Sequence, residues 1–398
     1  MLSQRAKLMK PSPTLALNAR AKKMTAEGHN VLALSVGEPD WNSFDLVIDT
    51  AVSALKEGMT KYSPSNGLPD LRKVIAEDLS QFLKIPYTPE QVTVTAGAKF
   101  SIFAAMQALI DQNDEVIIPA PYWVSYPTMV ELAGGTPVIA TCDHTVNFKL
   151  TPAILEKLIN VKTKMLILNS PSNPTGLMYS SAELKAIGSL LEKHPQVVIL
   201  TDDIYNQLVF EGGGKAPHIL QVCPQLQDRT LMIDGASKAY SMTGWRVGWA
   251  TGPKVIVDAM TNYQSQSVSC AASFSQWATI PAITKLKNEV KASVQNLKDR
   301  RDYFADKLKA ISGLDVFLPD GTFYFWIGIK SLLGKSFQGT KLENSSQFCE
   351  LLLNQEKLVV VPGNEFGLDG YLRLSFAIPK NRLEEAAIRL DRFVKALQ

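Results

Sequence analysis

The chain is predicted to be an α/β protein in two parts. The larger is a mainly parallel sheet wrapped by helices, and a smaller α+β domain follows it. Three observations predict this. Short, nearly continuous apolar runs alternate with helical stretches over residues 91–251, as strands covered on both faces do. From about residue 281 the texture changes to a long charged amphipathic stretch and then short apolar runs. The chain has 398 residues, enough for two or three cores.

The first 45 residues carry no strand–helix repeat and are expected to form an arm packed on the second domain. In the large domain, residues 46–282, strands are expected at 91–95 (QVTVT), 115–118 (EVII), 165–169 (MLILN), 197–201 (VVILT), 231–233 (LMI) and 247–251 (VGWAT). Helices lie between them. One spans 98–110, with Ile102, Met106 and Leu109 on one stripe, and another spans 181–191. Such alternation favours parallel pairing. In the small domain, residues 283–398, a helix is expected over about 283–308. Apolar runs follow at 316–318, 322–327, 357–362 and 371–376, and a last helix at 380–397. Gly212–Gly214 reads as a flexible loop, and it carries no dinucleotide fingerprint.

Composition excludes several classes of function. Hydrophobic residues are 46% and charged residues 20%, as in an ordinary soluble protein. The 41 basic and 38 acidic residues leave a net charge of +3 without a basic block, so neither nucleic acid nor an anionic membrane is expected as a partner. Cys142, Cys223, Cys270 and Cys349 form no close pair, and His29, His144, His194 and His218 are scattered. Reduced thiols in a cytoplasmic protein are expected, with no zinc site. The N-terminus lacks the pattern of a secretory signal, and no run of eighteen apolar residues is present to span a membrane.

The chemistry is carried by a few segments. In IDGASKAYSMTGWR (233–246), Lys238 follows an apolar run and small turn residues, with Ser237 before it and Arg246 eight residues on. That layout suits an amine beside a phosphate. Pyridoxal phosphate supplies both a phosphate and an aldehyde with which an amine condenses. Taken alone, Lys238 also reads as a solvated surface lysine. TAGAK (95–99) ends a strand and opens a helix, so free amides near Gly97, Ala98 and Lys99 can cradle an anion; a plain turn needing glycine is the simpler reading.

NSPSNPTG (169–176) is a more specific loop, with Asn173 at its centre as a donor to the ring oxygen O3′ or as an Asx turn. LTDDIY (200–205) puts Asp202 at the carboxyl end of a strand, where open α/β sheets bind ligands. A carboxylate there can pair with a protonated pyridine nitrogen, and Tyr205 can donate to O3′; helix capping is the alternative for Asp202. APYWVSYP (120–127) offers Trp123 as a surface for ring stacking or for ordinary packing. KYSP (61–64) offers the Tyr62 hydroxyl to a phosphate. Arg373 alternates with apolar residues in YLRLS, so it either points inward and needs an anion such as a carboxylate, or points outward.

Together these segments resemble the class I, fold type I pyridoxal-phosphate-dependent aminotransferases, and among them the bacterial aspartate aminotransferases. The resemblance spans nearly the whole chain, from SVGEPD (35–40) through the motifs above to VPG (361–363) and Arg373. It implies the fold type I architecture and a Schiff base between Lys238 and the cofactor. It implies that Asp202 pairs with the pyridine nitrogen, that Asn173 and Tyr205 bond O3′, and that Trp123 stacks on the ring. Ser237, Arg246 and the Gly97–Ala98–Lys99 turn hold the phosphate, with Tyr62 reaching it from the neighbouring subunit of a homodimer with shared active sites. Gly37 and Arg373 take the substrate α-carboxylate end, flanked by Trp123 and Asn173, and Lys99 takes the distal carboxylate of aspartate or glutamate.

The implied reaction is a ping-pong transamination between an amino acid and 2-oxoglutarate. In it Lys238 acts as nucleophile and base, the positioned base alone contributing about 10²–10⁴-fold. Asp203 stands where the family commonly has Glu; Asn66 and Phe100 also depart from the pattern. These departures bear on the substrate rather than on the cofactor. The aromatic run at 323–326 keeps aromatic, prephenate or methionine aminotransferases and a β-lyase as alternatives, and an inactive regulatory homologue is the non-enzyme alternative.

Overall fold

The computed structural model describes residues 1–3, 6–7, 9, 13–212 and 214–398. Parts of the expected N-terminal arm, and Gly213 of the expected glycine loop, therefore lie outside the described residues. Seven strands form the main sheet: β1 (Val92–Thr95), β2 (Glu115–Ala120), β3 (Thr136–Thr141), β4 (Thr163–Asn169), β5 (Val198–Asp202), β6 (Thr230–Gly235) and β7 (Gly248–Thr251). Their order is β1-β7-β6-β5-β4-β2-β3. Strand β7 runs antiparallel to both neighbours, and all other pairs are parallel.

The sheet is covered on both faces because alternate residues of one strand feed different cores. Leu166 and Leu168 of β4 pack on one side with Val94 and Ile199. Met165 and Ile167 pack on the other with Val116 and Leu200, where α1 (Ala98–Leu109) contributes Ile102 and Met106. The six expected strands are present. Strand β3 was not expected from its sequence, TPVIAT. It is one edge of the sheet, bonded to β2 alone, and only one of its six residues is fully buried. An edge strand tolerates Pro137 and polar ends, so it lacks the apolar signature of a central strand.

The register sets up the site. Asn169 lies opposite Asp202, and Asp202 opposite Ile233. The carboxyl ends of β4 and β5 are therefore level with Ile233 of β6, which runs on to Gly235, so the three loops leave from the same end of the sheet.

A second, antiparallel sheet comprises β8 (Asp315–Phe317), β9 (Tyr324–Gly328), β10 (Val361–Pro362) and β11 (Tyr371–Ser375), in the order β10-β11-β9-β8. Leu32–Ala33 pairs in parallel with Leu358–Val359, which ties the N-terminal segment to this half. The helix expected to begin near residue 283 is two helices, α2 (Ser273–Lys285) and α3 (Lys287–Lys309), interrupted at Leu286 (φ −96°, ψ 22°). Val290, near the start of α3, packs in the core of the main sheet. Leu297, Phe304 and Leu308, further along it, pack in the core of the second sheet. Among the described residues no helix is long and apolar enough to cross a membrane, and no cluster of three or more His, Cys, Asp or Glu is placed to hold a metal.

Candidate active site

Asn169 and Asp202 are the last residues of β4 and β5, and Lys238 follows the end of β6 by three residues. The Asn169 side chain donates to the Asp202 carbonyl (2.8 Å) and accepts from the Asn173 N–H (2.9 Å). The proline-rich loop is thereby pinned to the neighbouring strand end. Asp202 is buried, and its carboxylate accepts from the Tyr126 hydroxyl (2.5 Å) and from the Ile204 N–H (3.4 Å). Burial pushes this carboxyl up to about 6, against the opposing pull of those two bonds. Asp203 turns to the other side of the strand end. It accepts from the Thr201 hydroxyl (2.7 Å), with His218 Nε2 at 3.5 Å. The two adjacent acids thus serve different surroundings.

The Lys238 amine donates to the Gly37 carbonyl (2.5 Å) and lies 5.9 Å from the ring centres of both Tyr205 and Phe323. Burial brings it down to about 8. Arg373 and Arg246 push the same way, while Glu38 and Asp202 pull against them. Ser237, just before it, is buried. The loop then takes left-handed backbone at Ser241 (φ 52°) and Arg246 (φ 56°), which is uncommon for residues with a Cβ, and it delivers Arg246 to Gly97. A Cβ on Gly97 would sit 2.4 Å from Arg246 Nη2, and one on Gly248 would sit 2.1 Å from the Ala98 nitrogen. These two glycines let the loop, β7 and the amino end of α1 close on one another. The free amides of Ala98 and Lys99 and the helix dipole face that point.

The Lys99 amine lies 4.9 Å from the centre of the Trp123 ring. Burial and the nearby Arg246 hold it below the usual lysine value. Trp123 meets Tyr126 edge to face at 5.3 Å, which closes the path back to Asp202.

Arg373, on β11, is buried. It donates to the Asn173 side-chain oxygen (3.1 Å) and to the Ser35 carbonyl (2.8 Å). Its Nε is buried with no hydrogen-bond partner among the described residues. A buried, unpaired guanidinium donor is costly unless a ligand completes it, and a carboxylate matches its planar fork. The guanidinium lies 4.5 Å from the centre of the Tyr324 ring. The Tyr324 hydroxyl is 3.0 Å from that of Tyr205, and a Cβ on Gly37 would come within 2.8 Å of it.

Contacts therefore link Lys238, Asp202, Tyr205, Asn173, Arg373, Gly37, Gly97, Ala98, Lys99, Trp123 and Arg246 around one region. Tyr62 is 90% exposed and reaches none of them within the chain. Tyr126, Asn169 and Tyr324 join the site without having been assigned a role from sequence. Tyr126 and Asn169 stood inside recognised motifs, but only the three-dimensional arrangement gives them partners. Among the described residues, no ion pair joins a carboxylate to Lys99, Lys238, Arg246 or Arg373. Positive charge without a bonded carboxylate suits anionic ligands.

Residues 29–390 match the family described as aminotransferase class I and II. The chain is similar to the aspartate/prephenate aminotransferase of Nitrosomonas europaea, with 40% identity over 98% of each chain. Its fold is similar to that of the aspartate aminotransferase from Rhizobium meliloti, with a TM-score of 0.96, 38% identity and 100% of both chains covered. It is also similar to that of the aspartate aminotransferase from Thermus thermophilus with maleate, with a TM-score of 0.91, 36% identity and 99% of both chains covered.

Proposed function

The chain belongs to the class I and II aminotransferases, and from that premise we propose that it holds pyridoxal phosphate on Lys238 and moves the amino group of L-aspartate to 2-oxoglutarate, giving oxaloacetate and L-glutamate. The observation that carries this reading is a pocket amine brought down to about 8, set among residues that match both ends of the cofactor. Asp202, a buried acid with no cationic partner at bonding distance among the described residues, fits the protonated ring nitrogen. The tight junction of Gly97, Arg246 and the α1 amides fits the phosphate. When bound, the cofactor supplies an aldehyde for the amino group and a conjugated ring that takes up electrons.

The chain's own residues do the rest. Lys238 Nζ, with its lowered proton affinity, takes and returns the proton at the substrate Cα. Asp202 keeps a proton on the ring nitrogen, and Asn173 and Tyr205 donate to O3′. Trp123 supports the ring face, and Ser237 joins Arg246 at the phosphate. Arg373, with Gly37 beside it, receives the α-carboxylate. Lys99, over the Trp123 ring and without an ion pair among the described residues, receives the distal carboxylate. Tyr62 extends into solvent, in keeping with a homodimer in which it completes the other subunit's phosphate site.

Borohydride reduction of the purified protein followed by peptide mapping tests the cofactor link. A label on any residue other than Lys238, or on none, rejects it. A panel of amino donors with 2-oxoglutarate tests the substrate. Lys99→Ala is expected to lower kcat/KM for aspartate by roughly one to two orders of magnitude, the range of a lost charge-assisted bond, and to affect alanine or phenylalanine much less. Equal losses on all donors reject the role of Lys99. Prephenate is the second reading, favoured by the printed name of the Nitrosomonas europaea relative, and including it as an amino acceptor in the same panel decides that point.

A further inference from the structure

We propose that Tyr324 is a positioning residue for Tyr205: its hydroxyl donates to Tyr205 Oη and thereby commits the Tyr205 proton to O3′ of the bound cofactor. This rests on the proposed cofactor site and deepens it. Both tyrosines are buried, Tyr205 at 4% and Tyr324 at 1% relative exposure, and their hydroxyl oxygens are 3.0 Å apart. Among the described residues, each is the other's sole hydrogen-bond partner. Two hydroxyls carry two protons, and one bond uses only one of them. If Tyr205 donates to Tyr324, the Tyr324 proton faces no acceptor in a buried setting, which is unfavourable. If Tyr324 donates to Tyr205, the remaining proton belongs to Tyr205, the residue expected beside O3′. The second arrangement satisfies every donor once the cofactor is present.

The surroundings favour the same direction. The Arg373 guanidinium lies 4.5 Å from the centre of the Tyr324 ring, and a cation on the ring makes its hydroxyl the better donor. Trp326 pairs with Arg373 across β9 and β11. Tyr324, two residues along β9, shares the face of Arg373 as its diagonal neighbour. The Tyr324 oxygen is also wedged against the bare Cα of Gly37, where no Cβ fits, so its position is fixed by a segment whose carbonyl holds the Lys238 amine. The second sheet thus sets the hydroxyl that governs O3′. Hydrogen bonds in such a chain reinforce one another, so losing the first donor weakens the second.

The test is the pH midpoint of the visible absorbance change of the cofactor-loaded enzyme, measured for wild type, Tyr324→Phe, Tyr205→Phe and the double variant. Tyr324→Phe removes one oxygen and keeps the ring under Arg373. Weaker donation to O3′ leaves more negative charge there, which raises the proton affinity of the adjoining lysine–cofactor link. The midpoint is expected to move up in Tyr324→Phe, by less than in Tyr205→Phe, and the double variant is expected to match Tyr205→Phe alone. An unchanged or lowered midpoint in Tyr324→Phe overturns the proposal, because a lowered one means that Tyr205 had been donating to Tyr324. Additive shifts in the double variant also overturn it, since residues acting in one chain of bonds do not add. Failure of the cofactor site itself looks different: the wild type then shows no visible band and no borohydride label on Lys238.

Discussion

Lys238→Met is expected to remove the visible absorbance of the purified protein and nearly all turnover, and at the same time to make the cofactor-free chain more stable. The two effects share a cause. The folded chain brings this amine from 10.5 to about 8. Below about pH 8 the folded and unfolded chains both carry the proton, and the folded chain bears the full cost of burying it. Between there and the ordinary lysine value only the unfolded chain keeps the proton, so stability rises with pH. A displacement of this size is worth on the order of 3 kcal/mol. Methionine fills a similar volume without the charge, although it leaves the Gly37 carbonyl unpaired. Urea unfolding of the two cofactor-free proteins near pH 7 is expected to favour Lys238→Met by about 2 kcal/mol, with the gap closing as pH approaches the lysine range. A variant less stable than wild type near neutral pH contradicts this account of the pocket.

Asp202→Ala is expected to cost about 3–5 kcal/mol in the cofactor-bound state, because it leaves a charged ring nitrogen without its partner in a buried site. In kcat/KM that corresponds to roughly two to four orders of magnitude. Asp203→Ala is the matched control. It removes an acid one residue away whose carboxylate accepts from the Thr201 hydroxyl, and it is expected to lower stability by about 1 kcal/mol while leaving the chemistry in place. Steady-state kinetics and cofactor dissociation measured side by side separate the two. If Asp203→Ala loses the activity and Asp202→Ala keeps it, the acid has been assigned to the wrong residue.

Much of the candidate site was legible in the amino-acid order because its parts are local. The glycine turn at 95–99, the loop at 169–176 and the lysine segment at 233–246 each carry their chemistry within a few residues. Each also lies at the end of an apolar strand that announces itself. Tyr126 and Tyr324 were not legible as site residues. Their roles rest on hydroxyls that meet Asp202 and Tyr205 across 76 and 119 positions of sequence, and nothing in an aromatic run distinguishes a hydroxyl with a partner from one that merely packs. Strand β3 was missed because an edge needs less apolar surface. The helix break at Leu286 was missed because the charged pattern runs through it. The orientation of Asp202 against Asp203 could not be read from two identical side chains; the register of β5 between β4 and β6 separates them.

Helix α3 has 23 residues, with its beginning rooted in one hydrophobic interior and its remainder in the other. Loss of packing in either interior strips part of the same rod, which couples the two. Heating should therefore register as a single calorimetric endotherm, with the two halves behaving as one cooperative unit in spite of their separate sheets.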